Sequence, residues 1–260
     1  MKMVKIKSSL MILIFSLYAG GGYAANIDLY GGWAVNIDGV VTDSLFNDPI
    51  PSNVDISAFN ESTGVGSILV NLTAPLGAHS VDFFFDHEID ESINTYFNEN
   101  GSASGSLVSG QSWEIDEPGY GSGRDGDGNV LYFGDIYWNL DDSDKNTSYF
   151  DNQIFYDWYD DQSLVNSDGS TPVKDDVSVA MGWNFNLGLD EMAIISMFVS
   201  VDQPGSGFYL AHDDLDSGDS IYFSSSLSII SAAAPVPAPS TLLLLIIGML
   251  GIVKHKRSIF

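Results

Sequence analysis

Residues 177–187 read V-S-V-A-M-G-W-N-F-N-L, with large apolar side chains at every odd position and small or polar ones at every even position. Successive side chains of an extended chain point to opposite sides, so this alternation marks a strand with one buried face. A turn, Gly188-Leu189-Asp190-Glu191, follows it. Residues 192–201 are apolar at both sets of positions, as expected of a central strand. Asp202-Gln203-Pro204-Gly205 is the next turn, and residues 208–210 and 220–229 continue the series. In the last of these, Ile221, Phe223, Leu227 and Ile229 share a face with one polar residue, Ser225.

The first half has the same grammar. Residues 27–37, 54–59, 67–73, 80–86, 112–115, 130–138 and 154–158 are expected strands. In 81–86, Asp82 and Asp86 point opposite to Val81, Phe83 and Phe85. No long segment carries an apolar stripe at a spacing of about 3.6 residues. Many short strands punctuated by turns predict an all-β fold, a single antiparallel β-sandwich or jelly-roll-like domain. No repeat of fixed period occurs, which argues against a propeller or solenoid.

The two ends are of different character. Lys2, Lys5 and Lys7 precede an apolar run at 10–19, and Gly22-Tyr23-Ala24 puts small residues at −3 and −1. That is the pattern of a secretory signal peptide over 1–24, with cleavage expected at Ala24 or Ala25. At the other end an Ala/Pro linker, 231–240, leads to 241–260, an uncharged apolar run closed by Lys254, Lys256 and Arg257. Prolines keep the linker out of a regular helix. The apolar run is shorter than the ~20 residues a bilayer span needs. Its basic end is expected to stay on the cytoplasmic side, with the body outside.

Between the ends, the body (25–230) holds all 35 acidic residues against Arg124, Lys145 and Lys174, a formal charge of −32. Such a field repels nucleic acid and excludes binding by phosphate neutralisation. The chain has no cysteine, which excludes disulfides, thiol catalysis and Cys-ligated metal centres.

The order of proline motif, apolar helix and Lys/Arg cluster resembles the PEP-CTERM tail of Gram-negative bacterial exported proteins. Where that family has Pro-Glu-Pro, this chain has Pro237-Ala238-Pro239. The stretches 110–118, 134–137, 175–183, 206–210 and 216–227 are similar to one group of PEP-CTERM surface proteins, so the likeness spans roughly 83–229. The resemblance implies recognition by an exosortase at the inner membrane, transient anchoring there, and delivery to the cell surface or exopolysaccharide matrix. It implies no catalytic residues.

Candidate chemistry within the body is sparse. His79, His87 and His212 form no His-x-x-x-His pair, and no Gly-x-Ser-x-Gly elbow occurs. His87, between Asp86 and Glu88, and His212, before Asp213 and Asp214, are expected at the surface with their pKa nudged up by carboxylates. The G-x-G-x-x-G at 121–126 lacks a following helix and sits among aspartates, so it reads as a loop. Asp125, Asp127 and Asn129 have the spacing of hard-cation ligands, which makes them the candidate Ca²⁺ site, although Val130 and Ile136 occupy the positions where an EF-hand has glycine and glutamate. Asp142, Asp144 and Asn146 repeat that spacing, and Asp214, Asp216, Gly218 and Asp219 form a third acidic turn. Aromatics between 132 and 159 are expected to be mostly core, with two or three left for a surface patch.

The expected function is that of an exported, non-catalytic surface or matrix protein associated with exopolysaccharide or biofilm. The alternative is a polysaccharide-binding β-sandwich module, with or without Ca²⁺, and a secreted hydrolase ranks last.

Overall fold

The computed structural model describes residues 26–90, 98–118, 122–124, 130–132, 136–143, 147–154 and 176–231. In chain order its elements are β1 (Ile27–Ile37), β2 (Val40–Asp43), β3 (Val54–Asn60), β4 (Val65–Leu72), β5 (Gly77–Ile89), β6 (Glu99–Ser104), β7 (Gln111–Asp116), β8 (Ser122–Arg124) and β9 (Val130–Tyr132). A short helix, α1 (Ile136–Asp142), precedes β10 (Gln153–Ile154), β11 (Ser178–Leu187), β12 (Glu191–Ser200), β13 (Tyr209–Asp214) and β14 (Ser220–Ser231).

Two six-stranded sheets, ordered β10-β7-β11-β5-β1-β2 and β3-β4-β12-β14-β13-β6, pack as a β-sandwich, and β8 pairs with β9 in a small ribbon. The β10–β7 pair is parallel; the other pairs of both large sheets are antiparallel. β12 is interior to its sheet, as its two apolar faces predict. The alternation of 177–187 places Val179, Met181, Trp183, Phe185 and Leu187 in the core, facing Ile195, Met197, Val199, Ile221 and Phe223 of the second sheet. Each fully buried side chain of this size contributes roughly 1.5–3 kcal/mol.

β1 turns into β2 through Asp38 and Gly39, both at positive φ (54° and 84°), the geometry of a two-residue hairpin. The Asp38 carboxylate fixes this turn to β5: one oxygen lies 2.7 Å from His79 Nδ1 and the other accepts the Ser80 N–H.

The outer face of the first sheet carries a second apolar layer. Ile136 and Leu140 of α1, with Phe150, cover Ala34, Phe84 and Ala180. Asn36 on β1 donates its side-chain amide to the carbonyls of Leu140 (2.7 Å) and Ser143 (2.9 Å), satisfying groups that the end of a helix leaves without intrahelical partners. This layer corrects two expectations. Residues 130–138 are not one strand: Val130–Tyr132 is extended, and Ile136–Trp138 begins α1, because Ile136 and Leu140 lie one turn apart and dock on Phe84 and Ala180 together. The single buried face expected of 177–187 does not hold over 178–182 either, where both faces of β11 are buried, and on the neighbouring β5 Asp82 and Asp86 are buried as well. Among the described residues, no helix is long and apolar enough to cross a membrane.

Candidate functional site

Two places in the sandwich gather polar groups in ways the core does not require. The first is an uncharged cleft at the mouth between the sheets. β13 pairs with β14 only at Ser220–Phe223, so from Ser224 onward that edge of β14 has no partner strand among the described residues. The cleft, about 410 Å³, lies alongside this edge. Among the described residues that line it, six are serines and none is ionisable, in a body whose formal charge is −32.

Its polar floor is pre-set. Ser225 Oγ accepts from Gln111 Nε2 (3.1 Å) and from Trp183 Nε1 (3.0 Å), and Gln111 Oε1 accepts the Val108 N–H at 3.4 Å. Gln111 and Trp183 are themselves buried. With both lone pairs of Ser225 engaged, its hydroxyl is left to donate. Phe208 is half-buried, with its ring 5.9 Å from that of Trp113, and Phe198 is exposed. The walls are anchored by close backbone approach. Gly105 (φ +90°) sits where a Cβ would come within 2.2 Å of the Gly207 carbonyl oxygen, and at Gly110 (φ +86°) one would meet the Asn184 carbonyl at the same distance. The segment between these glycines is thus pinned at both ends.

The second place is a buried acidic end. Ser178 on β11 stands between Asp86 of β5 and Asp116 of β7, and its hydroxyl donates to Asp86 Oδ1 at 2.7 Å. Burial pushes Asp86 up to about 7, helped by the Glu99 charge and opposed by the Ser178 hydroxyl. Asp86, Glu88 and Asp176 each present an oxygen within 4.8 Å of the others, a set that could hold a hard divalent cation. On the core side, the Glu99 carboxylate of β6 accepts the N–H groups of Ile89 and Val177 (both 3.3 Å), joining one sheet to the other, and its Oε2 lies 2.7 Å from His212 Nε2. His87 packs its ring on Phe85 and Phe223. Farther along β5, Asp82 is buried beside Gly182, and burial pushes it up to about 7, an effect that the Ser148 and Ser143 hydroxyls only partly offset.

His87 and His212 therefore correct a sequence expectation. Neither is at the surface and neither pKa is raised: burial pushes His87 down to about 3, and His212 down to about 4 despite Asp176, Asp213 and Asp214 nearby. The third acidic turn is also more than a solvated loop. Asp214 is buried, and its Oδ1 accepts from the backbone N–H of Asp216 and Ser217 and from Asn98 Nδ2, so its side chain organises the turn itself. Of the aromatics between 132 and 159, Trp138 and Tyr149 are exposed, while Phe150 is core.

Asp125, Asp127 and Asn129 lie outside the described residues, as do Ala24, Ala25, Pro237, Ala238, Pro239, Lys254, Lys256 and Arg257. Asp142 ends α1, and Asp144 and Asn146 are again outside. Neither the Asp86–Glu88–Asp176 group nor the cleft was found by sequence reasoning. The first joins residues ninety positions apart, whereas Ser225 had left a signal as the lone polar residue on an apolar face. No family model, no curated protein and no solved structure matches this chain.

Proposed function

We propose that this chain is an exported, non-catalytic protein of the cell surface or extracellular matrix, processed by an exosortase-like enzyme and associated with exopolysaccharide. The observation that carries this reading is the order of segments: a secretory leader, an acidic body, the Pro237-Ala238-Pro239 motif, an uncharged apolar run and the Lys254, Lys256, Arg257 cluster. Six of the nine basic residues sit in the two end segments, which leaves the body strongly anionic and suited to a hydrated, cation-containing exterior.

The body's architecture supports an interaction module. Its three histidines all serve the fold: His79 lies between Asp38 and the Pro75 carbonyl, His87 is in the core and His212 lies against Glu99. The polysaccharide side of the proposal is supported by the uncharged, hydroxyl-lined cleft. Fractionation of the native host tests the sorting. The intact chain should place the body at the surface or in the matrix, and deletion of residues 235–260 should move it to the periplasm or medium. An unchanged distribution would refute the proposed role of the tail.

A further inference from the structure

We infer that the cleft beside the free edge of β14 is a binding site for a neutral polysaccharide, and that it works without a bound cation. This rests on the surface-protein reading and assigns its ligand class to one place in the fold. The chemistry of the lining decides the class. A cleft of about 410 Å³ falls in the range of small-ligand sites, roughly 300–1,000 Å³. Sugars present many hydroxyls and patches of C–H surface. The lining offers a complementary set: serine hydroxyls, a directed Ser225 donor, and the half-buried ring of Phe208, with Phe198 exposed at the rim.

Charge narrows the class. Among the described residues the lining holds no ionisable side chain to pair with a uronate or sulfate, and the acidic body repels an anionic chain as it approaches. Among the described residues no carboxylate lines the cleft, so they offer no ligand set for Ca²⁺ to bridge protein and sugar. An extended peptide added to the β14 edge would use backbone bonding and apolar pockets for alternate side chains. This cleft sets serine hydroxyls among Val108, Phe198, Phe208 and Leu227, and its walls are fixed by the glycine contacts at Gly105 and Gly110. Fixed walls and a pre-bonded Ser225 lower the ordering cost of binding.

The test is affinity electrophoresis of the full chain in detergent. The gels would carry neutral glucan, mannan, xylan or galactan, or anionic alginate or polygalacturonate, with Ca²⁺ and with EDTA. At least one neutral polysaccharide should retard the protein equally in Ca²⁺ and EDTA, and the anionic ones should not. Ser225→Ala and Phe208→Ala should each weaken retardation about tenfold, equivalent to about 1.4 kcal/mol. Ser226→Arg, at an exposed position on the rim, should do the same with thermal stability unchanged, which separates blocked binding from misfolding. No retardation by any neutral chain, loss of retardation in EDTA, preference for the anionic chains, or full retardation of Ser226→Arg would each overturn the inference. Competition by an extended peptide but by no soluble oligosaccharide would overturn it in favour of strand addition. These outcomes are read on purified protein, so they leave the sorting proposal to be decided by the processed termini.

Discussion

Replacing Asp82 by asparagine should make the protein progressively more stable than the parent as pH rises. Asp82 is buried on the outer face of β5, with one oxygen against Gly182, where an added Cβ would fall within 1.9 Å of it. Burial raises its pKa from the ordinary 3.8 to about 7. A group whose folded pKa is raised gives stability that is fully present below the unfolded value and is lost as pH climbs through the folded one. The loss is about 1.4 kcal/mol per pH unit, or about 4 kcal/mol over the whole window from 3.8 to about 7. Between pH 5 and 8 about two pH units of that window remain, so the advantage of Asp82→Asn should grow by about 2–3 kcal/mol. Asparagine is isosteric, does not titrate, and can hydrogen-bond to the Ser143 and Ser148 hydroxyls. The assay is urea unfolding followed by tryptophan fluorescence for both proteins at pH 5, 6, 7 and 8. Only the difference between them matters, because the other buried groups titrate alike in each. A difference constant to within about 0.5 kcal/mol across that range would refute the reasoning.

Two further outcomes follow from the same core. Asn36→Ala leaves the Leu140 and Ser143 carbonyls without their donor, so stability should fall by about 2–3 kcal/mol and amide exchange in 136–143 should accelerate; unchanged exchange would contradict the role given to Asn36. His87 and His212 have pKa values depressed to about 3 and about 4, so their contribution is intact above about 6.5 and is lost as pH falls below it; their imidazole NMR signals should not titrate between pH 8 and 5, and a midpoint near 6.5 for either would contradict their burial.

The sandwich was largely legible because its strands announce themselves by period. The alternation of 177–187 is reproduced residue for residue in the buried face of β11, and 27–37 is β1. The covering layer was not legible. Phe84 stands between Asp82 and Asp86 on the face opposite Val81, Phe83 and Phe85, and only tertiary packing under Ile136 and Leu140 explains why a phenylalanine is there. That one residue was the available warning that both faces of β5 are buried. β2 was missed although Asp38-Gly39 is a hairpin signal, because four residues are too few to show a period. The buried histidines were misread for a related reason: neighbours in sequence, such as Asp86 and Glu88 beside His87, point to the opposite side of the strand. What surrounds His87 is Phe85 and Phe223, and the second comes from the other sheet. The cleft depends on where β13 stops pairing with β14, which no local pattern encodes.

The central claim is that the two basic ends are sorting segments and the acidic sandwich is what remains outside the cell. Intact-mass and terminal-peptide mass spectrometry of the protein recovered from the surface of its native host tests this most directly. The predicted result is a chain that begins at Ala25 or Asn26 and has lost the basic cluster, so that no peptide containing Lys254 to Phe260 is found. A surface form that still ends at Phe260 would contradict it.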